Sequence, residues 1–281
     1  MPYCTVAEVR SCVNFPSTGA PVSDADILQF ILNAEEEINN MYHTKFGSVE
    51  DSGTATGGST SVLNDTSKTW TSNEFQGFVL WISGGIGSGQ YRQISSNSAT
   101  AISVSEPFIV TPNATSTYQI LKLGYRSETV DGSGTETQFV VYQPLIELNK
   151  LVIHSQKGDP GVSVTPSTVY SYSNSGKLKL SSQSEERYFR KTTPQLVDMQ
   201  YIYGVYPLPR TIKRLCIVIA SLQTLVAQIA GTYDDFSTVA LPAGFSASKG
   251  EPYVNIRSAV DQFQKEAKQL QQAYIPFTLF G

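Results

Sequence analysis

Cysteine is scarce in this chain: Cys4, Cys12 and Cys216 are the whole complement in 281 residues. An odd number in dissimilar contexts excludes a disulfide framework and reads most simply as reduced thiols in a cytosolic product. An excess of positive charge is also missing. Lys and Arg number 20 against 24 Asp and Glu, giving a net charge of −4 and a pI of about 5.3. That excludes the cationic footprint of a protein that grips nucleic acid by its phosphates. The most apolar segment holds an uninterrupted run of only six residues, Leu215 to Ala220, far short of the roughly 20 that a bilayer core demands. The opening residues lack the basic and apolar regions of a signal peptide, so the sequons at Asn64 and Asn113 are expected to be chance matches.

Catalytic signatures are equally thin. There is no Gly-x-Ser-x-Gly, and the only histidines, His43 and His154, have no Cys, Asp or Glu at ligand spacing, so both are expected to be structural. The run Gly84-Gly-Ile-Gly-Ser-Gly-Gln90 has the glycines of a phosphate loop, but Gln90 and Tyr91 stand where Lys and Ser or Thr are needed; a hairpin turn is expected. Glu35-Glu-Glu37, Glu185-Glu186 and Asp234-Asp235 are the candidate carboxylate clusters, and a solvated face is the expectation for each. No enzyme, cofactor or metal is expected.

What the chain does have is periodicity. From Ser23 to about Thr44, Ile27, Ile31, Ala34, Ile38 and Met41 recur at helical spacing behind a capping-box-like Ser23-Asp-Ala-Asp26. From Tyr253 to Tyr274, Ile256, Val260, Phe263, Ala267, Leu270 and Tyr274 do the same. Between them, Val197 to Tyr203 alternates as a strand, Gly204 breaks it, and a wide-faced apolar helix is expected from near Pro209 to Gly231. A short helix over Thr5 to Val13 is expected to precede these. From Thr54 to Lys122 the composition shifts to Gly, Ser, Thr and Asn, with enough apolar residues for a small β core. Turn-separated runs continue from Tyr125 to Tyr203.

The expected fold is therefore α+β. An antiparallel helical bundle formed by both chain ends (1–50 and 205–281) holds an inserted β-barrel or sandwich (51–123) and a β-sheet unit packed on the bundle (124–204). Tyr170, Tyr172, Tyr201, Tyr203 and Tyr206 are a candidate ligand platform, with ordinary sheet packing the expected reading. The terminal segment Tyr274-Ile-Pro-Phe-Thr-Leu-Phe-Gly281 is anomalously apolar. Leaving Ile275, Phe277, Leu279 and Phe280 in water would cost on the order of 1.5 to 3 kcal/mol per large side chain. The two expected burial sites are its own bundle and a neighbouring protein that accepts an extended segment.

Three stretches carry a resemblance. Ser-Asp-x-Asp-Ile-Leu before an Ala-Glu-rich helix is followed by Asp131-Gly-Ser-Gly-Thr-Glu-Thr-Gln-Phe-Val-Val-Tyr-Gln-Pro-Leu-Ile-Glu-Leu148 and by Tyr201-Ile-Tyr-Gly-Val-Tyr-Pro-Leu-Pro-Arg-Thr-Ile-Lys213 at the strand-to-helix junction. Over roughly residues 5 to 46 and 124 to 275 this resembles the head-tail connector adaptors of tailed bacteriophages. The segment Leu63 to Ile94 departs from the compact members and is similar to β modules that decorate phage virion proteins.

The resemblance implies a structural virion protein in the neck between head and tail, assembled in the host cytoplasm. It would form a twelvefold ring beneath the portal protein, extend the DNA channel, and offer a docking surface to a stopper, tail-completion or tail-tube protein. In that family the helical part faces the channel and the portal, and a C-terminal segment commonly reaches into the portal, here Tyr274, Ile275, Phe277, Leu279 and Phe280. The inserted domain would add a capsid contact or decoration. DNA would pass without tight binding, which the acidic balance suits; no membrane is implied. The alternative expectation is a carbohydrate- or surface-binding β module of a tail-fibre or baseplate component, with Trp70, Trp81, Tyr91 and Tyr118 as stacking residues.

Overall fold

The computed structural model describes residues 2–14, 22–156, 158–191, 194–233 and 251–274, without the side chains of 228–233 and 251–258. They fall into two units, one drawn from Met1–Tyr42 and Leu208–Pro276, the other from His43–Pro207.

The first unit is helical: α1 (Val6–Val13), α2 (Asp24–Tyr42), α3 (Arg210–Tyr233) and α4 (Glu251–Ala273), with α3 packed against the other three. A reciprocal Thr5–Glu8 capping box starts α1, and Asn14 in the left-handed region ends it. Arg10 joins α1 to the start of α2 through Asp24 at 2.5 Å and the Val22 carbonyl at 3.0 Å. Ile27, Ile31, Ala34 and Ile38 are buried at their expected helical spacing, whereas Met41 is exposed. Ile212, Leu215, Cys216, Val218 and Ala220 bury the near face of α3. The helix runs past Gly231 to Tyr233 rather than stopping there. Lys213–Glu8 and Arg214–Glu266 pairs lie at its margins.

The second unit is built on β-strands, with two short 3-10 turns at Pro166–Thr168 and Ser173–Ser175. Its first sheet contains β1 (Val49–Thr54), β2 (Gly57–Gly58), β3 (Val62–Asn64), β4 (Val79–Gly84), β5 (Tyr91–Asn97), β6 (Ala101–Val104) and β7 (Thr117–Leu121), in the order β1-β7-β4-β5-β6-β3-β2. Because β1 continues through Ala55 and Thr56 into β2, one bent strand pairs with β7 through its first half and with β3 through its second. The sheet thereby meets itself as a small barrel, without free edges. Leu63, Leu80, Ile82, Ile94, Ile102, Tyr118 and Ile120 fill it.

The rest of this unit is a sandwich. Strands β8 (Gly124–Val130), β9 (Thr137–Phe139), β10 (Leu145–Ile153), β11 (Val162–Val164), β12 (Val169–Tyr172), β13 (Lys177–Leu180) and β14 (Val197–Tyr203) form two sheets, β11-β10-β14-β8 and β12-β13-β9. Leu148, Leu151, Ile153, Val197, Met199 and Tyr201 from one meet Val169, Leu178 and Leu180 from the other in a shared core. A further cluster of Val79, Leu121, Leu123 and Ile202, with Trp81, Tyr91, Ile146 and Tyr206 packed on it, joins barrel to sandwich.

This corrects the expected organisation. The chain is not an α+β fold built on an antiparallel helical bundle of both chain ends: among the described residues it is mostly β, in three antiparallel sheets, with four helices and 28% helix. The physical reason lies in how the two kinds of element announce themselves. A helix is legible within one segment, whereas a strand acquires its stabilising partners only from elsewhere in the chain. The β segment 124–204 has its own two-sheet core and is no appendage.

Candidate functional site

Two surfaces of the sandwich carry unusual side chains. On the three-stranded sheet, Tyr170 and Tyr172 lie two residues apart on β12 and so emerge on the same side. Register aligns Tyr172 with Lys177 and Phe139, and Tyr170 with Lys179 and Thr137. The intervening Val169, Leu178 and Leu180 point into the core, which fixes the row of rings outward. Tyr170 is 60% exposed, Phe139 56% and Tyr172 49%, with Val141, two residues on from Phe139, at 62%. The Lys177 ammonium lies 5.9 Å above the Tyr172 ring, and Lys179 pairs with Glu136 at 3.1 Å. The face is aromatic and carries two lysines, one of them paired with Glu136.

On the other sheet the outer face is polar. Two adjoining cavities of about 380 and 410 Å³ share His154, Pro160 and Asp198, and Lys150, Glu128 and Thr129 line the larger. The Asp198 carboxylate accepts from Thr129 Oγ1 at 2.6 Å and meets His154 Nε2 at 2.9 Å. The other ring nitrogen, Nδ1, lies 2.7 Å from the Asp159 carbonyl. Burial alone would raise the Asp198 carboxyl, but hydrogen bonds from Thr129 and His154 outweigh it and hold the group below its usual value. The hydrogen bond to Asp198, then that to Asp159, raises the His154 imidazole above its ordinary 6.5. The pair can hold or release a proton near neutrality. Among the described residues no cluster of three or more His, Cys, Asp or Glu could hold a metal.

The other expected positions are dispersed. Tyr274 stacks edge-on against Tyr42, centroids 5.0 Å apart, and burial raises its phenol; Ile275, Phe277, Leu279 and Phe280 lie outside the described residues. Of the five tyrosines, Tyr201 and Tyr203 are buried in the sandwich core, Tyr206 hydrogen-bonds Gln119, and only Tyr170 and Tyr172 face outward. Trp70, partly buried, donates to Asp51 and packs edge-on against Phe75 and Tyr118 of the barrel core, while Trp81 stacks on Tyr91 at 5.5 Å beneath Tyr206. Gly84 to Gln90 closes the β4–β5 hairpin, with Gly85, Gly87 and Gly89 at positive φ.

Glu35 departs from the solvated reading. It is buried and accepts the Tyr3 backbone N–H, although Glu36 and Glu37 are exposed. Asp234 and Asp235 lie outside the described residues. Sequence inspection missed the His154–Asp198 pair because its members are 44 residues apart. The one available signal was that Asp198 sits on a strand and His154 directly follows the strand that pairs with it. No protein-family model and no curated protein matches this chain.

Proposed function

We propose that the chain is a structural head-to-tail adaptor of a tailed-phage virion. In this reading copies form a ring beneath the portal, extend the DNA channel, and present a surface to the stopper or tail-tube protein. The observation that carries it is the outer face of the β12-β13-β9 sheet. Burying rings of this size stabilises an assembly by roughly 1.5–3 kcal/mol each, and exposing several together on one rigid sheet suits a protein that is completed by neighbours. The aromatic end Tyr274 to Gly281 would supply a second contact, into the portal.

The carbohydrate-binding reading is less well supported, because Tyr118 is buried in the barrel core, Trp70 is partly buried against that core, and Trp81 and Tyr91 stack on each other. The deciding experiment is the mass in solution of the purified protein, alone and with its virus's portal. Full-length protein is compared with a chain ending at Ala273. A ring, or a monomer that joins the portal only with the terminal segment present, is the expected result. A trimer indifferent to the portal would move the assignment to a fibre or baseplate component.

A further inference from the structure

The environment of His154 imposes a constraint that neither the proposed role nor the sandwich core requires. Both ring nitrogens face oxygen acceptors, Nε2 the Asp198 carboxylate at 2.9 Å and Nδ1 the Asp159 carbonyl at 2.7 Å. A neutral imidazole has one N–H and can satisfy only one of them; the imidazolium satisfies both. We propose that His154 is a protonation-operated latch: when charged it clamps the turn Asp159-Pro160-Gly161, and with it the edge strand β11, onto the four-stranded sheet, and when neutral it lets them go.

Among the described residues the charged groups around it are few. Asp198 on β14 faces Nε2. In the turn, the Asp159 carboxylate is occupied by the Ser155 amide and hydroxyl and by the Gly161 amide. Further along the groove, Lys150 on β10 points outward, and Glu128 on β8 is occupied by the Tyr201 hydroxyl and Arg126. β11 contributes no charge. Gly161 sits flush on the ring, since a Cβ there would lie 2.7 Å from Nδ1.

When the proton leaves to solvent, the remaining N–H stays with Asp198, because a hydrogen bond to an ionised acceptor is about twice as strong as one to a neutral carbonyl. The Nδ1 lone pair then faces the Asp159 carbonyl oxygen and the contact turns repulsive. At its far end β11 is held by Thr165, whose amide and hydroxyl donate to the Glu185 carboxylate at 3.1 and 2.6 Å, so the latch acts on its Val162 end, where the ladder is short. The three residues of β11 pair with Ile153, Val152 and Leu151, and of the three only Val164 is buried. Release uncovers the outer side of β10, an unpaired strand edge that another strand can take. The raised affinity of His154 for its proton agrees with this geometry.

The test is nuclear magnetic resonance on the full chain between pH 5.5 and 9. Long-range proton–nitrogen spectra report His154, assigned by its loss in His154→Gln. Amide exchange, corrected for its intrinsic pH dependence, reports Val162 to Val164. The expected result is an imidazolium protonated on both nitrogens at pH 6.5, losing Nδ1–H at a higher pH. Exchange at Val162 to Val164 should rise about tenfold through that same transition, the loss of one hydrogen bond. In Asp198→Asn both transitions should move together to lower pH. A His154 transition at or below 6.5, or exchange that stays level through it, would overturn the latch.

Discussion

The guanidinium of Arg92, on the barrel, lies 2.6 Å from the carboxylate of Glu147, on the sandwich. The same carboxylate accepts the Tyr91 amide at 2.6 Å, while Arg92 also donates to the Tyr91 and Pro107 carbonyls. Burial pushes the Glu147 carboxyl up, and Arg92 and the Tyr91 amide oppose that. Arg92 is 3% exposed, so removing its partner strands a buried charge. Glu147→Ala should lower unfolding free energy by about 3–5 kcal/mol, whereas replacing both residues with apolar ones of similar volume should be nearly neutral. Urea denaturation of the two variants measures the contrast.

The barrel contains a second polar pairing, Tyr118 OH to Asp65 at 2.7 Å. Tyr118→Phe should cost about 1–3 kcal/mol by the same measurement. Burial works to raise Asp65, but hydrogen bonds from Ser67 and Tyr118 outweigh it and hold the group below 3.8. A lowered carboxylate contributes stability that is fully present above its unfolded value and lost as pH falls through the folded one. The urea midpoint should therefore drop below about pH 4, and Asp65→Asn should flatten that drop.

His154 has the opposite sign. Its folded value is raised, so its contribution is fully present below about pH 6.5 and is lost as pH climbs through the higher folded value. Stability should decline from neutral to mildly alkaline pH, and His154→Gln should remove that decline.

Gly124 is in register with Tyr203 and lies beneath its ring: a Cβ there would meet three ring carbons at 2.3–2.6 Å. Gly124→Ala should destabilise by about 1–3 kcal/mol through overpacking. Gly57→Ala, whose Cβ meets nothing within 4 Å, should stay within about 0.5 kcal/mol. Thermal unfolding distinguishes them.

Tyr170→Ser with Tyr172→Ser should leave the unfolding midpoint of the isolated chain nearly unchanged, since both rings are exposed. Assembly into rings should weaken at least about tenfold, read by sedimentation velocity across a concentration series.

Much of the local structure was legible beforehand, and the limits have definite causes. Alternation over 197–203 identified β14 with Val197, Met199, Tyr201 and Tyr203 inward. The same alternation in Val169 to Tyr172 sends its tyrosines outward, because whether a strand face is covered depends on the sheet opposite, which no local pattern contains. Glu35 followed a similar rule: its helical position reads as solvated until Tyr3 supplies an amide from a distant segment. Asp198 was on a recognised strand, but its meeting with His154, the residue that follows β10, depends on the register of β10 against β14, which contains two irregularities. The balance of the whole fold escaped for the same reason, since pairing partners decide how much of a turn-rich chain becomes sheet.

The bent strand that closes the barrel also makes it a cassette. Val49 and Leu121 are Cα partners, so excising everything between them asks a replacement linker to cross only one interstrand gap, about 5 Å. Topologically the module is free to come and go. Energetically it is not, because its removal would strip the cover from Ile146, Ile202 and Tyr206 and leave Glu147 without its guanidinium. A chain without the barrel would have to repaint that surface as well as reconnect its ends.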